Sequence, residues 1–213
     1  MSAGPVTRLM LITPELNEIE AFQPMFEAAL AAGDIAAVVI RLGPADDRTR
    51  LARAKPLIAA AQAAGAAALV AGAGVEDIVG KSGADGLHAP AGDEGFGEIV
   101  GRFQPDKIVG AFAPGSRDAA MVAGEAGADY VMFGEDLDGE PFSTTLERVE
   151  WWVPIFQTPC VGLAQSVDDV AALAAADVEF AALGDAVWLH EAGPAAAVAA
   201  AGAMLSLAKA PTP

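Results

Sequence analysis

Short apolar, β-branched runs alternate with longer Ala-rich segments of helical spacing from the first residues of this chain to the last, and there are eight of them. A run of four to six apolar residues is too short for a helix and reads as a buried strand. The intervening 3.6-residue periodicity reads as a helix. The spacing predicts strands over Arg8–Ile12, Ala36–Arg41, Ala67–Val70, Gly86–His88, Ile108–Phe112, Tyr130–Phe133, Cys160–Ala164 and Phe180–Leu183. Helices are predicted over Glu20–Ala32, Asp46–Ala64, Val75–Lys81, Asp93–Arg102, Ser116–Ala126, Thr144–Ile155, Val167–Ala175 and Pro194–Lys209. Asp93 and Ser116 suit caps, Pro194 suits a first turn, and Lys209 suits a last one. Gly33, Gly65 and Gly127 stand where a helix must turn back into a strand, inside a recurring phrase such as Gly83-Ala84-Asp85 or Gly127-Ala128-Asp129. Parallel strands joined by right-handed helical crossovers form either an open doubly wound sheet or a closed barrel. Eight evenly spaced units leave no surplus segment for a lid, so the expected fold is α/β, a single (β/α)8 TIM barrel over residues 1–213.

Charge narrows the range of ligands. The chain carries 29 acidic against 12 basic side chains, a formal charge of −17. So acidic a surface excludes a nucleic-acid reader, which needs clustered Lys and Arg, and it is repelled by an anionic membrane. Any anionic small molecule must be held by local cations. The single cysteine, Cys160, permits no intrachain disulfide and no Cys-based zinc site, and no apolar run approaches the length of a membrane span. A cytoplasmic location is expected.

In a barrel, chemistry gathers in the loops after the strand C-termini. Arg41 ends the second strand there, where its guanidinium can grip a phosphate or carboxylate, or else pair with Asp46, Asp47 or another rim carboxylate. His88 ends the fourth strand and can donate to a ligand, shuttle a proton, or tie down a loop. Asp93 can ligate Mg²⁺ or cap a helix. The loop with Glu135, Asp136, Asp138 and Glu140 lacks the spacing of a calcium hand and reads as a solvated acidic loop. His190 reads as a surface histidine near a loop, Cys160 as a buried small hydrophobe, and Trp151 and Trp152 as packing residues. Gly72-Ala73-Gly74 lacks the full dinucleotide fingerprint.

Five segments together give a family resemblance: Leu11-Ile12-Thr13, the Ala-rich helix ending at Gly33, Val38-Val39-Ile40-Arg41, Gly83-Ala84-Asp85-Gly86-Leu87-His88, and Gly127-Ala128-Asp129-Tyr130-Val131. In that order and spacing the chain resembles the thiamine phosphate synthase and TenI family of barrels over nearly its whole length. The resemblance implies a transferase that joins hydroxymethylpyrimidine diphosphate to a thiazole phosphate, with Mg²⁺ and cationic side chains meeting the charge on departing pyrophosphate. It also implies a homodimer, phosphorylated small-molecule ligands, Arg41 and His88 in the catalytic site, and Asp93 on the metal.

Departures from the family pattern concern the groups that hold the diphosphate. Arg41 is kept, while the family's Gln and Lys around it are Val39 and Gly43. The Asn-Asp-Arg triplet falls on Ala73, Gly74 and Val75, and the Ser and His after strand five fall near Phe112 and Pro114. Thr and Lys positions after strand six have become the acidic loop. The Gly-Gly pair is Ala164-Gln165, and the last phosphate turn is Gly184-Asp185-Ala186-Val187. Three functions are therefore open to such a sequence: a divergent synthase with weakened diphosphate chemistry, a non-catalytic or regulatory barrel that binds a small ligand, or an enzyme of unrelated reaction type on the same scaffold.

Overall fold

The computed structural model describes residues 6–92, 95–113, 116–134 and 140–208. Among the described residues there are eight strands: β1 Arg8–Ile12, β2 Ile35–Arg41, β3 Ala67–Ala71, β4 Gly86–Pro90, β5 Ile108–Phe112, β6 Tyr130–Phe133, β7 Cys160–Ala164 and β8 Phe180–Leu183. Each pairs in parallel with the next in chain order, and β8 closes onto β1, giving the expected barrel. Around it lie α1 Gln23–Ala31, α2 Asp47–Ala63, α3 Val79–Ser82, α4 Phe96–Phe103, α5 Arg117–Ala126, α6 Phe142–Trp152, α7 Asp169–Ala175, α8 Asp185–Trp188 and α9 Pro194–Ala208.

Strict alternation along each strand divides the core into two. Met10, Ile12, Val39, Leu69, Tyr130, Met132 and Val161 face inward and fill the barrel. Leu9, Leu11, Val38, Ile40, Val70, Leu87 and Val109 face outward into the helices. Because both faces are covered, the strands are written as continuous apolar runs, which is why they stand out in the sequence. Trp152 is fully buried under α6 and stacks on Phe156 with ring centroids 4.0 Å apart. No helix among the described residues is long and apolar enough to cross a membrane.

The recurring Gly-Ala-Asp phrase has a structural meaning at the strand N-termini. Gly83 and Gly127 take left-handed conformations as they leave α3 and α5. The aspartate two residues on then reaches sideways to the preceding strand. Asp85 Oδ2 accepts from the Ala68 backbone N–H at 2.7 Å, and Asp129 Oδ2 accepts from that of Val109 at 2.7 Å. Gln62 and Gln104 donate to the same carboxylates and to the carbonyls of Gly83 and Gly127. Asp129→Ala removes the acceptor of a strand-start amide, and we expect it to lower stability by about 1–2 kcal/mol. A urea unfolding curve measures that loss, and an unmoved midpoint would leave the clamp without energetic weight.

Several boundaries differ from expectation. Helix α1 begins at Gln23 rather than Glu20, because residues 20–22 form a turn ahead of Pro24. The expected helix Val75–Lys81 divides into a 3₁₀ turn, Val75–Asp77, and the single turn α3. Its entry residue Gly74 is left-handed, and Gly80 weakens continuous helix. Gly33 has no left-handed twist; instead it lets α9 approach, since a Cβ there would lie 2.8 Å from a Val198 methyl. Ser116 caps α5 as expected, accepting from Ala119 N–H. Helix α4 begins at Phe96 with Gly95 at its cap. Asp93, Pro114, Lys209 and the loop residues Glu135, Asp136 and Asp138 lie outside the described residues.

Candidate functional site

Arg41 closes β2 half-buried, at the C-terminal mouth of the barrel. The chain leaving β1 folds back to hold it there. Thr13 Oγ1 accepts from the Arg41 backbone N–H at 2.9 Å, and the Arg41 carbonyl accepts from Leu16 N–H at 2.9 Å. Leu16 also pairs with Leu42 in an isolated parallel bridge. This fold-back carries Glu15 onto the rim of the cavity that Arg41 borders.

Asp46 and Asp47, the rim carboxylates weighed as partners of Arg41, are engaged elsewhere. Asp46 caps α2 by accepting from Thr49 N–H, which holds its carboxyl below the usual range. Asp47 pairs with Arg50 at 2.6 Å, and Arg50 in turn donates to the Ala73 carbonyl. Buried Arg50 therefore fastens the Gly72–Gly74 loop over the mouth, a role that is absent from the sequence pattern because the residues lie 23 positions apart.

Two cavities open at the mouth, and Arg41 lines both. The larger, about 470 Å³, is bordered by Glu15, Arg41, the loop at residues 72–74, Glu76, His88 and Phe112. The smaller, about 240 Å³, is bordered by Thr13, Arg41, Gln165, Gly184 and Asp185. The smaller one occupies the place after the last two strands where barrels commonly receive phosphate. Gln165 is fixed there by its side chain, which donates to the Glu140 carbonyl at 2.8 Å, and by Asp169, which accepts from its backbone N–H. Among the described lining residues Arg41 is the only Lys or Arg, against carboxylates at Glu15, Glu76 and Asp185.

The structure brings Arg41 and His88 to one cavity. His88 is only 2% exposed, its Nδ1 lies 2.7 Å from Tyr130 Oη, and its ring stacks on both Phe112 and Tyr130. Asp93, the third expected site residue, is outside the described residues. His190 follows α8 and uses Nδ1 to accept from Ala192 N–H, a loop contact. Thr13, Glu15 and Tyr130 were not singled out as site residues from the sequence, and Gln165 was met only as a replacement in the family's Gly-Gly pair. Position just beyond a strand C-terminus was the available signal for Thr13 and Gln165.

Cys160 is 1% exposed, and burial first, then the nearby Glu179 charge, pushes its thiol well above the ordinary range. A thiol raised in this way stays protonated at neutral pH. We therefore expect the native protein to resist iodoacetamide and the urea-unfolded protein to react fully, which mass spectrometry reads directly. Rapid labelling under native conditions would contradict the burial.

Comparison with known proteins places this geometry. The thiamine monophosphate synthase family model matches residues 9–187. Thiamine-phosphate synthase from Rhodospirillum centenum is 40% identical over 197 residues, covering 90% of this chain and 94% of that protein. The enzyme of the same name from Hyphomonas neptunium is 38% identical over 206 residues, covering 92% of each. Among solved structures, thiamine phosphate pyrophosphorylase from Pyrococcus furiosus superposes with a TM-score of 0.79 at 21% identity, covering 95% of this chain and 96% of that one. At that identity the superposition speaks for the fold, and the sequence matches speak for kinship. The chain belongs to the thiamine monophosphate synthase and TenI family.

Proposed function

We propose that this protein forms thiamine phosphate, as its relatives' names state, but slowly. The observation that carries the reading is Arg41 standing between two adjoining cavities of about 470 and 240 Å³. A condensation of two phosphorylated molecules needs two such compartments with a cation at their shared wall. The reaction joins the thiazole nitrogen to the pyrimidine methylene carbon as the C–O bond to diphosphate breaks, and the bonding pair leaves with pyrophosphate. Arg41 would meet that developing charge from the side of either cavity. His88 would meet the ligand from the wall of the larger one, and Thr13 and Gln165 offer neutral polar contacts in the smaller.

The donor set fits Mg²⁺ brought in with a diphosphate better than an ion held by protein alone. No group of three or more His, Cys, Asp or Glu among the described residues could hold a metal. Yet Mg²⁺ usually takes one or two carboxylates plus phosphate oxygens, and Glu15 and Glu76 border the larger cavity. Those two, with Asp93 from the family pattern, are the residues that would hold it. Bound there, the ion would neutralise charge on the leaving diphosphate.

The slow rate follows from the departures in sequence. Each lost cationic contact forfeits a few kcal/mol of transition-state stabilisation, and about 1.4 kcal/mol is a factor of ten. A second reading, a binding barrel without turnover, is favoured by the carboxylates Glu15, Glu76 and Asp185 around a single described cation. The two part in one assay: the purified protein is given both precursors and Mg²⁺, and thiamine phosphate is followed by chromatography. Product in excess of enzyme supports synthesis. Binding of both precursors without product supports the second reading. Family kinship also supports a cytoplasmic homodimer.

A further inference from the structure

The chain between β3 and the 3₁₀ turn at Val75–Asp77 is built on two glycines with positive φ, Gly72 at 123° and Gly74 at 69°. Glycine turns freely, so its neighbours must decide how the peptides of this loop face. On one side the constraint is steric. Gly72 lies so close to the Leu42 carbonyl that a Cβ there would collide with it, while Leu42 N–H donates to the Ala71 carbonyl at 2.8 Å. On the other side stands Arg50 of α2, only 7% exposed, whose Nη2 pairs with Asp47 at 2.6 Å and whose Nη1 donates to the Ala73 carbonyl. The guanidinium packs against the loop itself: a Cβ at Gly74 would lie 3.1 Å from Nη1. Gly72, Ala73 and Gly74 border the larger mouth cavity and Arg50 does not, so the guanidinium stands behind that wall.

We propose that Arg50 is a positioning residue for an anion in the larger cavity: it draws the Ala73 carbonyl oxygen back from the mouth and so turns the Gly74 N–H toward a diphosphate oxygen. The peptide between Ala73 and Gly74 is trans, and in a trans peptide the N–H points opposite to the carbonyl. With the oxygen held on the α2 side of the loop, the N–H faces the other way, and no described group accepts from it. The orientation matters because Glu15 and Glu76 border the same cavity, where Arg41 is the one Lys or Arg among the described lining residues. A flipped peptide would add another acceptor to a wall that faces an anion.

Arg50 has this role only with diphosphate in the larger cavity, as the functional reading holds, and one experiment separates the two claims. Magnesium pyrophosphate is titrated into ¹⁵N-labelled protein, the affinity being read by calorimetry and the Gly74 amide resonance by NMR. Wild type is expected to bind it with a shift of the Gly74 amide. Arg50→Met, in protein whose circular dichroism is native, should bind about tenfold more weakly, the worth of one hydrogen bond to a charged group, and should lose the Gly74 shift. Arg50→Lys keeps a donor behind the loop and should recover both in part. Wild type that binds with its Gly74 amide unmoved overturns the proposal whether or not the variants fold. So does equal affinity in a native Arg50→Met protein. Wild type that binds no magnesium pyrophosphate removes the diphosphate reading itself, and the role of Arg50 with it.

Discussion

Arg41→Ala is expected to lower thiamine phosphate formation by about a hundredfold to a thousandfold, the usual cost of deleting one preorganised donor to a developing anion. The loss should fall on turnover and on affinity for pyrophosphate together, because the side chain borders both mouth cavities. The backbone bonds of Arg41 to Thr13 Oγ1 and Leu16 N–H survive truncation of the side chain, so the strand end itself is kept in Arg41→Ala. Arg41→Lys separates charge from shape. Lysine restores a point charge without the planar fork, so it should recover part of the affinity and less of the rate. A variant as active as wild type would remove Arg41 from the chemistry altogether.

Gly110→Ala is expected to destabilise the protein by about 1–3 kcal/mol, the cost of overfilling a packed core. The new methyl enters space that the Tyr130 ring occupies, and Tyr130 cannot retreat as a whole because its backbone is registered to Gly110. Adding Tyr130→Ala vacates that space. The double variant should therefore be more stable than the sum of the two single losses requires, with a coupling of about 0.5–3 kcal/mol as for residues in direct contact. Urea unfolding of the four proteins completes the cycle. Strict additivity would mean that Gly110 and Tyr130 are not packed against each other across β5 and β6.

What could be read from the sequence depended on whether the determinant was local. Five of the eight strands, among them Ile108–Phe112 and Cys160–Ala164, fall on the residues expected, because a strand buried on both faces must be apolar throughout. Helix α8, at Asp185–Trp188, was missed: four residues are too few to establish a period, and Gly184-Asp185 reads as a turn. The loop after β3 breaks its expected helix because Gly74 and Gly80 interrupt the pattern. Arg41 was legible as a cation ending an apolar strand. The contact between His88 and Tyr130 was not, since 42 residues separate them and the contact exists only through the register that places Gly110 between. The Gly-Ala-Asp phrase was visible as a repeat, but its reason, a carboxylate receiving a neighbouring strand's amide, requires the closed sheet.

Whether the mouth holds two ligands at once is the most direct test of the account. Titration calorimetry can follow thiazole phosphate added to protein already saturated with magnesium pyrophosphate. Adjoining cavities that share Arg41 should accept both, forming a ternary complex whose two affinities weaken together in Arg41→Ala. Strict competition between the two ligands, or a ternary complex indifferent to Arg41, would contradict it.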